Sequence, residues 1–184
     1  MKIVERILLI AVLFLYLPQT INAQYEIGNN YAGPAIGLSF LGSSVQLGIN
    51  YERSLDLNLI GVNGPGKLGI GGIFRYWSYS TGYFKGSWKF TSFLLGAQGN
   101  YHFDLADKKF DPWLGLVLAI NIGSVSWDGP AKAAWYVEPS AGGFWLGLHA
   151  GLRYWLSPTL AVNTRIGFGT LSYGALDIGV DFRF

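Results

Sequence analysis

Cysteine is absent from the 184 residues, which excludes disulfides, thiol nucleophiles, thiolate-bound zinc and lipoprotein-type anchorage through a lipidated cysteine. Charge is scarce: Asp, Glu, Lys and Arg make up 13% of the chain, against 51% hydrophobic and 16% aromatic residues. A disordered tail, a coiled coil and a highly charged nucleic-acid binder do not fit that balance. The formal net charge is only +2, so no electrostatic grip on nucleic acid is expected. Long apolar runs are missing too. Ile7 to Leu17 is 11 residues, well short of the ~20 that a membrane-spanning helix needs. Later, Leu114 to Ile122 covers nine residues between Pro112 and Gly123.

What is present begins with a leader. Lys2 and Arg6 precede the Ile7–Leu17 run, and Pro18, Ile21 and Ala23 follow it. That order of charged, apolar and small residues reads as a secretory signal peptide removed near Ala23. The remaining 161 residues carry all 26 glycines and six of the seven prolines, and amount to one domain.

Within that domain hydrophobicity has a period of two. Phe184, Phe182, Val180, Ile178 and Leu176 alternate with Arg183, Asp181, Gly179 and Asp177. Leu114, Leu116, Leu118, Ile120 and Ile122 alternate with Gly115, Val117, Ala119, Asn121 and Gly123, and Leu146, Leu148, Ala150 and Leu152 with Gly147, His149, Gly151 and Arg153. These are strands. Their second face is made of Gly, Ala, Asn, Gln and a few charges, which suits a narrow polar interior better than a water-washed exterior. The pattern is that of a barrel turned inside out, and a sheet in lipid must close because every backbone group has to be paired. Turn residues divide the chain into about eight strands, an even number as such barrels use: 35–41, 45–54, 67–78, 88–103, 112–126, 142–156, 159–169 and 173–184.

Alternate strands end alike, in Gly48-Ile-Asn-Tyr51, Gly99-Asn-Tyr101, Gly151-Leu-Arg-Tyr154 and Gly179-Val-Asp-Phe182. Each sets an aromatic near one rim, where Tyr51, Tyr101 and Tyr154 are expected to lie at the membrane interface. A second group, including Tyr76, Trp77, Tyr79, Tyr83, Phe84, Trp88, Trp127, Trp135, Tyr136, Phe168 and Tyr173, is expected at the opposite rim. Trp127, Trp135 and Tyr136 flank a sizeable loop from about Asp128 to Ala141.

On the inward face the alternation collects Glu52, Asp177 and Asp181 with Arg75, Arg153, Arg165 and Arg183. They are expected to pair, since a lone charge there would cost several kcal/mol. His102 and His149 share that face, but no third ligand stands at a fixed spacing, so they read as polar filling; no metal, cofactor or catalytic residue is called for. Gly61-Val-Asn-Gly-Pro-Gly66-Lys67 imitates a phosphate-binding loop, yet Leu68 replaces the Ser or Thr and an alternating strand follows instead of a helix, so a turn is expected.

With its terminal Gly179-Val-Asp-Phe-Arg-Phe184, the chain resembles the small bacterial outer-membrane β-barrel proteins of the OmpA-barrel and OmpX type, over essentially the whole mature length. The resemblance implies an all-β, closed antiparallel up-and-down transmembrane barrel (35–184), a signal peptide (1–23) and a periplasmic N-terminal segment (24–34). It implies a Gram-negative outer-membrane location reached through the periplasm. It also implies that Val180, Phe182 and Phe184 form an address read by the barrel assembly machinery, and that the partners are outer-membrane lipid, both lipopolysaccharide and phospholipid. A monomeric, non-enzymatic structural or surface-interaction role is expected. Two other roles stay open: a narrow ion- or solute-conducting pore gated by the interior salt bridges, and an outer-leaflet lipid-modifying enzyme. For the last, His149-Ala150-Gly151 and His102-Phe103-Asp104 lack the serine that such chemistry needs beside a histidine.

Overall fold

A computed structural model describes residues 25–130, 137–171 and 173–184. The signal-peptide region, Trp135 and Tyr136 lie outside the described residues. Eight strands follow one another: β1 Asn30–Ser39, β2 Ser44–Leu55, β3 Lys67–Tyr83, β4 Gly86–His102, β5 Phe110–Asp128, β6 Gly142–Ser157, β7 Leu160–Gly169 and β8 Gly174–Arg183. Each pairs antiparallel with the next, and β1 pairs with β8, so the sheet is a closed barrel. Closure leaves no sheet edge, which is the condition for strands in lipid.

The alternation sets which side is greasy. Along β5, Leu118 is 52% exposed while its neighbour Val117 is 1% exposed. Leu114, Leu116, Ile120 and Ile122 share the outer face of Leu118, whereas Trp113, Ala119 and Asn121 are buried with Val117. The polar side chains Gln46, Asn50, Glu52, Arg75, Asn100, His102, Arg153 and Asp181 are all buried. This is the reverse of a soluble barrel, and it makes the chain a transmembrane β-barrel.

Several boundaries depart from expectation. β1 starts at Asn30 rather than 35, so half of the proposed N-terminal segment is strand; Tyr31 already alternates inward and pairs with Arg183. β3 and β4 run on to a two-residue turn, with Tyr83 opposite Gly86. The expected strands stop at 78 and resume at 88, but cross-strand pairs such as Tyr79–Phe90, stacked with centroids 4.8 Å apart, keep the ladder intact beyond those bounds. The lower end, which carries the start of β1 and the end of β8, has the connections 56–66, 103–109 and 158–159. In the first, Asp56 accepts from the Asn58 N–H to cap a short 3-10 turn, Leu57–Ile60, which Gly61 ends at φ 72°. Strand β3 follows, and the phosphate-loop imitation is a turn.

The rim assignment of aromatics needs correction. Trp77 and Tyr173 are buried in the lumen, while Trp88 is buried at the rim against Trp127. Trp77 is two residues beyond Arg75 and so shares its inward face. With Ile73, Leu94, Val117, Ala119 and Trp145, Trp77 and Tyr173 build an apolar cluster in the upper lumen. Tyr25, Tyr31, Trp155 and Ala161 form another at the lower end. Tyr51, Tyr154, Phe168, Phe182 and Phe184 do lie outward.

The β1–β8 seam is tight. The ladder is interrupted at Gly33 and Pro34, where proline has no N–H to give, and a Cβ at Gly33 would run into the Val180 carbonyl. Gly33→Val is therefore expected to destabilise the barrel by about 1–3 kcal/mol or more. Urea unfolding followed by the gel mobility of unheated protein measures this; an unchanged midpoint would refute the seam argument.

Candidate functional site in the barrel interior

The inward positions of eight strands deliver their polar groups into one continuous interior network. Its lower half centres on Arg153 of β6. The guanidinium Nε donates to Asp181 Oδ2 at 2.7 Å and Nη1 to Asp111 Oδ2 at 2.9 Å, while Nη2 lies 3.9 Å from Glu52 Oε1. A planar fork with five N–H donors can reach three separated carboxylates at once, whereas an ammonium is a compact point charge. His102 stands between two of the same acids. Its Nδ1 is 2.7 Å from Asp111 Oδ1, and Nε2 is 2.8 Å from Glu52 Oε1 without the alignment of a hydrogen bond. Asn163 donates to Asp181 and Asn100 to Glu52. The Asn100 carbonyl faces His149 Nε2 at 2.7 Å, so that nitrogen is the donor.

Tyr25 closes this half from below. Its ring stacks on His102 with centroids 3.6 Å apart, and the Arg153 guanidinium lies 5.3 Å from its centroid. Lys67 Nζ donates to the Tyr25 carbonyl at 2.6 Å, tying the segment to β3. Burial, reinforced by the nearby Glu52 carboxylate, pushes the Tyr25 phenol well above its ordinary pKa.

The upper half is organised by Asp177. Arg75 reaches Oδ2 with Nε at 3.0 Å and Nη2 at 2.9 Å, and Gln46 donates to Oδ1. Tyr173 donates to Gln46 at 2.5 Å, and Arg75 Nη2 also donates to Asn50 at 2.7 Å. Arg165 differs. Its Nη1 donates to Gln98 Oε1 at 3.0 Å and its guanidinium lies 4.8 Å from the Trp113 centroid, with no carboxylate in ion-pair contact among the described residues.

Of the seven charges expected inside, Glu52, Arg75, Arg153, Arg165, Asp177 and Asp181 are brought together and buried. Arg183 is not. It sits at the lower mouth, 3.1 Å from Glu26 and stacked 5.9 Å from the Trp155 centroid, because its position is the last of β8. Asp111 was missed because it closes a polar stretch that looks like a turn; its place two residues before inward Trp113 was the signal. Tyr25 carries no strand pattern that could have announced it. Two carboxylates and a tyrosine ring surround His102, and the cavity beside the Asp111–His102 pair is about 10 Å³, space for one water. Among the described residues no cluster of three or more His, Cys, Asp or Glu has metal-binding geometry.

Comparison with known proteins agrees with this architecture. A model of the Opacity family porin proteins matches residues 67–183. An uncharacterized protein of Haemophilus influenzae is 36% identical over 89 residues, and the match spans 47% of each chain, about half the length of that relative. Among solved structures, Neisserial surface protein A superposes with a TM-score of 0.53 at 18% identity, covering 85% of this chain and 96% of its own. Ail, the attachment invasion locus protein of Yersinia pestis, gives 0.54 at 15%, covering 86% and 100%. A designed transmembrane β-barrel gives 0.56 at 11%, covering 88% and 99%. At such identities the likeness is one of fold.

Two outcomes follow from the network. Arg153→Met leaves three buried carboxylates short of their shared cation and is expected to cost about 3–5 kcal/mol; Arg153→Lys, which keeps the charge, should lose less, and equal losses would remove the role of the fork. For Tyr25, the unfolded chain ionises near pH 10 while the folded phenol stays neutral. Its stabilisation is thus intact below pH 10 and declines above it. Unfolding midpoints between pH 8 and 11 should fall more steeply for the wild type than for Tyr25→Phe; parallel curves would contradict the buried phenol.

Proposed function

The chain belongs to the Opacity family of porin proteins, and on that premise we propose a monomeric, non-enzymatic outer-membrane barrel, sealed by its own side chains, that works through its upper rim. The filled lumen carries this reading. Tyr25, Tyr31, His102, Arg153 and Trp155 are each at most 2% exposed and together block the lower half. An eight-stranded interior is just wide enough for side chains to fill. Despite the family description, a conducting path would require this whole network to move at once, and breaking it piecemeal strands buried charge.

The upper rim supports a role in surface contact. Strands β3, β4 and β5 reach beyond their neighbours and carry Tyr79, Tyr83, Trp88, Phe90 and Trp127 there. In this reading the signal peptide (1–23) exports the chain, and Val180, Phe182 and Phe184 present the final strand to the assembly machinery. Tyr51, Tyr101, Tyr154 and Trp127 anchor the two rims at the lipid interface, between lipopolysaccharide and phospholipid.

Planar-bilayer recording tests the seal. The wild type and Arg153→Ala are both expected to show no discrete conductance steps, while unheated protein from the outer-membrane fraction keeps its altered gel mobility. Discrete steps in the wild type would overturn the sealed barrel in favour of a gated pore.

A further inference from the structure

We propose that the upper lumen is a binding site for one small monovalent anion of halide size, held between Arg165 and Trp145. A cavity of about 30 Å³ lies in the upper lumen, and Arg75, Arg165, His149, Trp145, Asp177 and Tyr173 contribute to its wall. A water needs roughly 10–15 Å³ by this measure, so the space takes a monatomic ion or two waters, and is too small for a sugar or a nucleotide.

Among the apolar Ile73, Val117 and Ala175, the wall carries two donors that have no partner. Arg165 Nε and Trp145 Nε1 are both buried without a hydrogen-bond partner, on side chains 6% and 3% exposed. An unmade hydrogen bond at a buried donor costs about 1–3 kcal/mol, more for a charged group. The one carboxylate in the wall is committed elsewhere. Asp177 Oδ1 accepts from Gln46 and Oδ2 from two nitrogens of Arg75. Gln98 and the Trp113 ring offer the Arg165 guanidinium partial charges only.

The distribution of charge points the same way. In the lower half three carboxylates, Glu52, Asp111 and Asp181, surround Arg153. In the upper half Asp177 is the carboxylate beside the two arginines, and its ion pair is with Arg75. A water in the cavity would satisfy the two idle donors but leave that excess positive charge; an anion does both. The indole is held in place against Gly147 and Gly169, where any Cβ would overlap it.

Bromide is the probe. In detergent, at constant ionic strength, replacing gluconate by bromide should lower the wild-type unfolding constant at least about tenfold and saturate, as linkage to one site requires. A bromide-soaked crystal should show an anomalous peak within hydrogen-bonding reach of Arg165 Nε and Trp145 Nε1. Arg165→Met should lose the bromide dependence. Trp145→Phe, which keeps the ring and removes the N–H, should need a several-fold higher bromide concentration. Equal midpoints in bromide and gluconate, a linear unsaturated dependence shared by Arg165→Met, or a water refining in the cavity of bromide-soaked crystals would each overturn the site.

Discussion

The governing constraint is the fixed cross-section of an eight-stranded closed sheet. Closure sets the circumference and tilt, and leaves an interior that side chains must fill without voids or overlap. This chain meets the demand by setting bulk against nothing. The Trp145 indole lies over Gly147 and Gly169, which face each other across β6 and β7; Trp113 lies over Gly151, Arg75 over Gly48, and Asn100 and His149 over Gly115. At each of these glycines a Cβ would overlap the larger group. The glycine content is therefore the counterpart of the interior bulk, and the same small residues that thin the walls permit four tryptophans, Trp77, Trp113, Trp145 and Trp155, and three arginines to lie inside.

Filling alone would not require charge. Buried ion networks break even at best against apolar packing of equal volume, so a greasy interior would fill the space as well. A polar interior supplies direction. Strand register in a two-faced sheet is specified by the difference between the faces, and a slip of one residue exchanges them. Here such a slip would turn Arg153, Asp181 and Asp111 toward acyl chains, at about 2–4 kcal/mol for the arginine alone at the bilayer midplane. Because Arg153 joins β5, β6 and β8 in one network, it also links strands that are not neighbours in the sheet.

Much of this is legible in the amino-acid order because both relevant signals are local. The alternation about Leu118 and the one ending at Phe184 identify the lipid face. The six charges Glu52, Arg75, Arg153, Arg165, Asp177 and Asp181 follow from parity once that face is known. What parity does not supply is height along the axis or partner choice. Arg183 has the inward parity but lies at the mouth, where Glu26 claims it. Trp77 and Tyr173 look like rim aromatics by composition, yet stack on each other inside with centroids 4.4 Å apart. Tyr25 belongs to no strand, and its seat on His102 depends on contacts far apart in sequence. Asp111 shows a boundary effect: a single residue assigned to a turn rather than to β5 removed an acid from the network.

The two ends of the barrel are built on different principles. A crossing strand needs about 9–11 residues, and β1, β7 and β8 have 10 each, whereas β3 and β4 have 17 and β5 has 19. At the lower end backbone pairs tie the chain short: Asn30 N–H donates to the Phe184 carbonyl at 2.9 Å and Phe184 N–H to that of Asn30 at 3.0 Å. At the upper end the surplus of three adjacent strands stands clear of the hydrocarbon, so its order has to come from its own cross-strand contacts. Lys89 and Asp128 pair at 2.8 Å, and the Trp88 and Trp127 rings meet edge-on at 5.0 Å. Flexible loops lose entropy when they bind; a sheet already held by such pairs does not. On the function proposed above, a filled lumen with a rigid, aromatic-rich extension on one side would place the capacity for interaction in that extension.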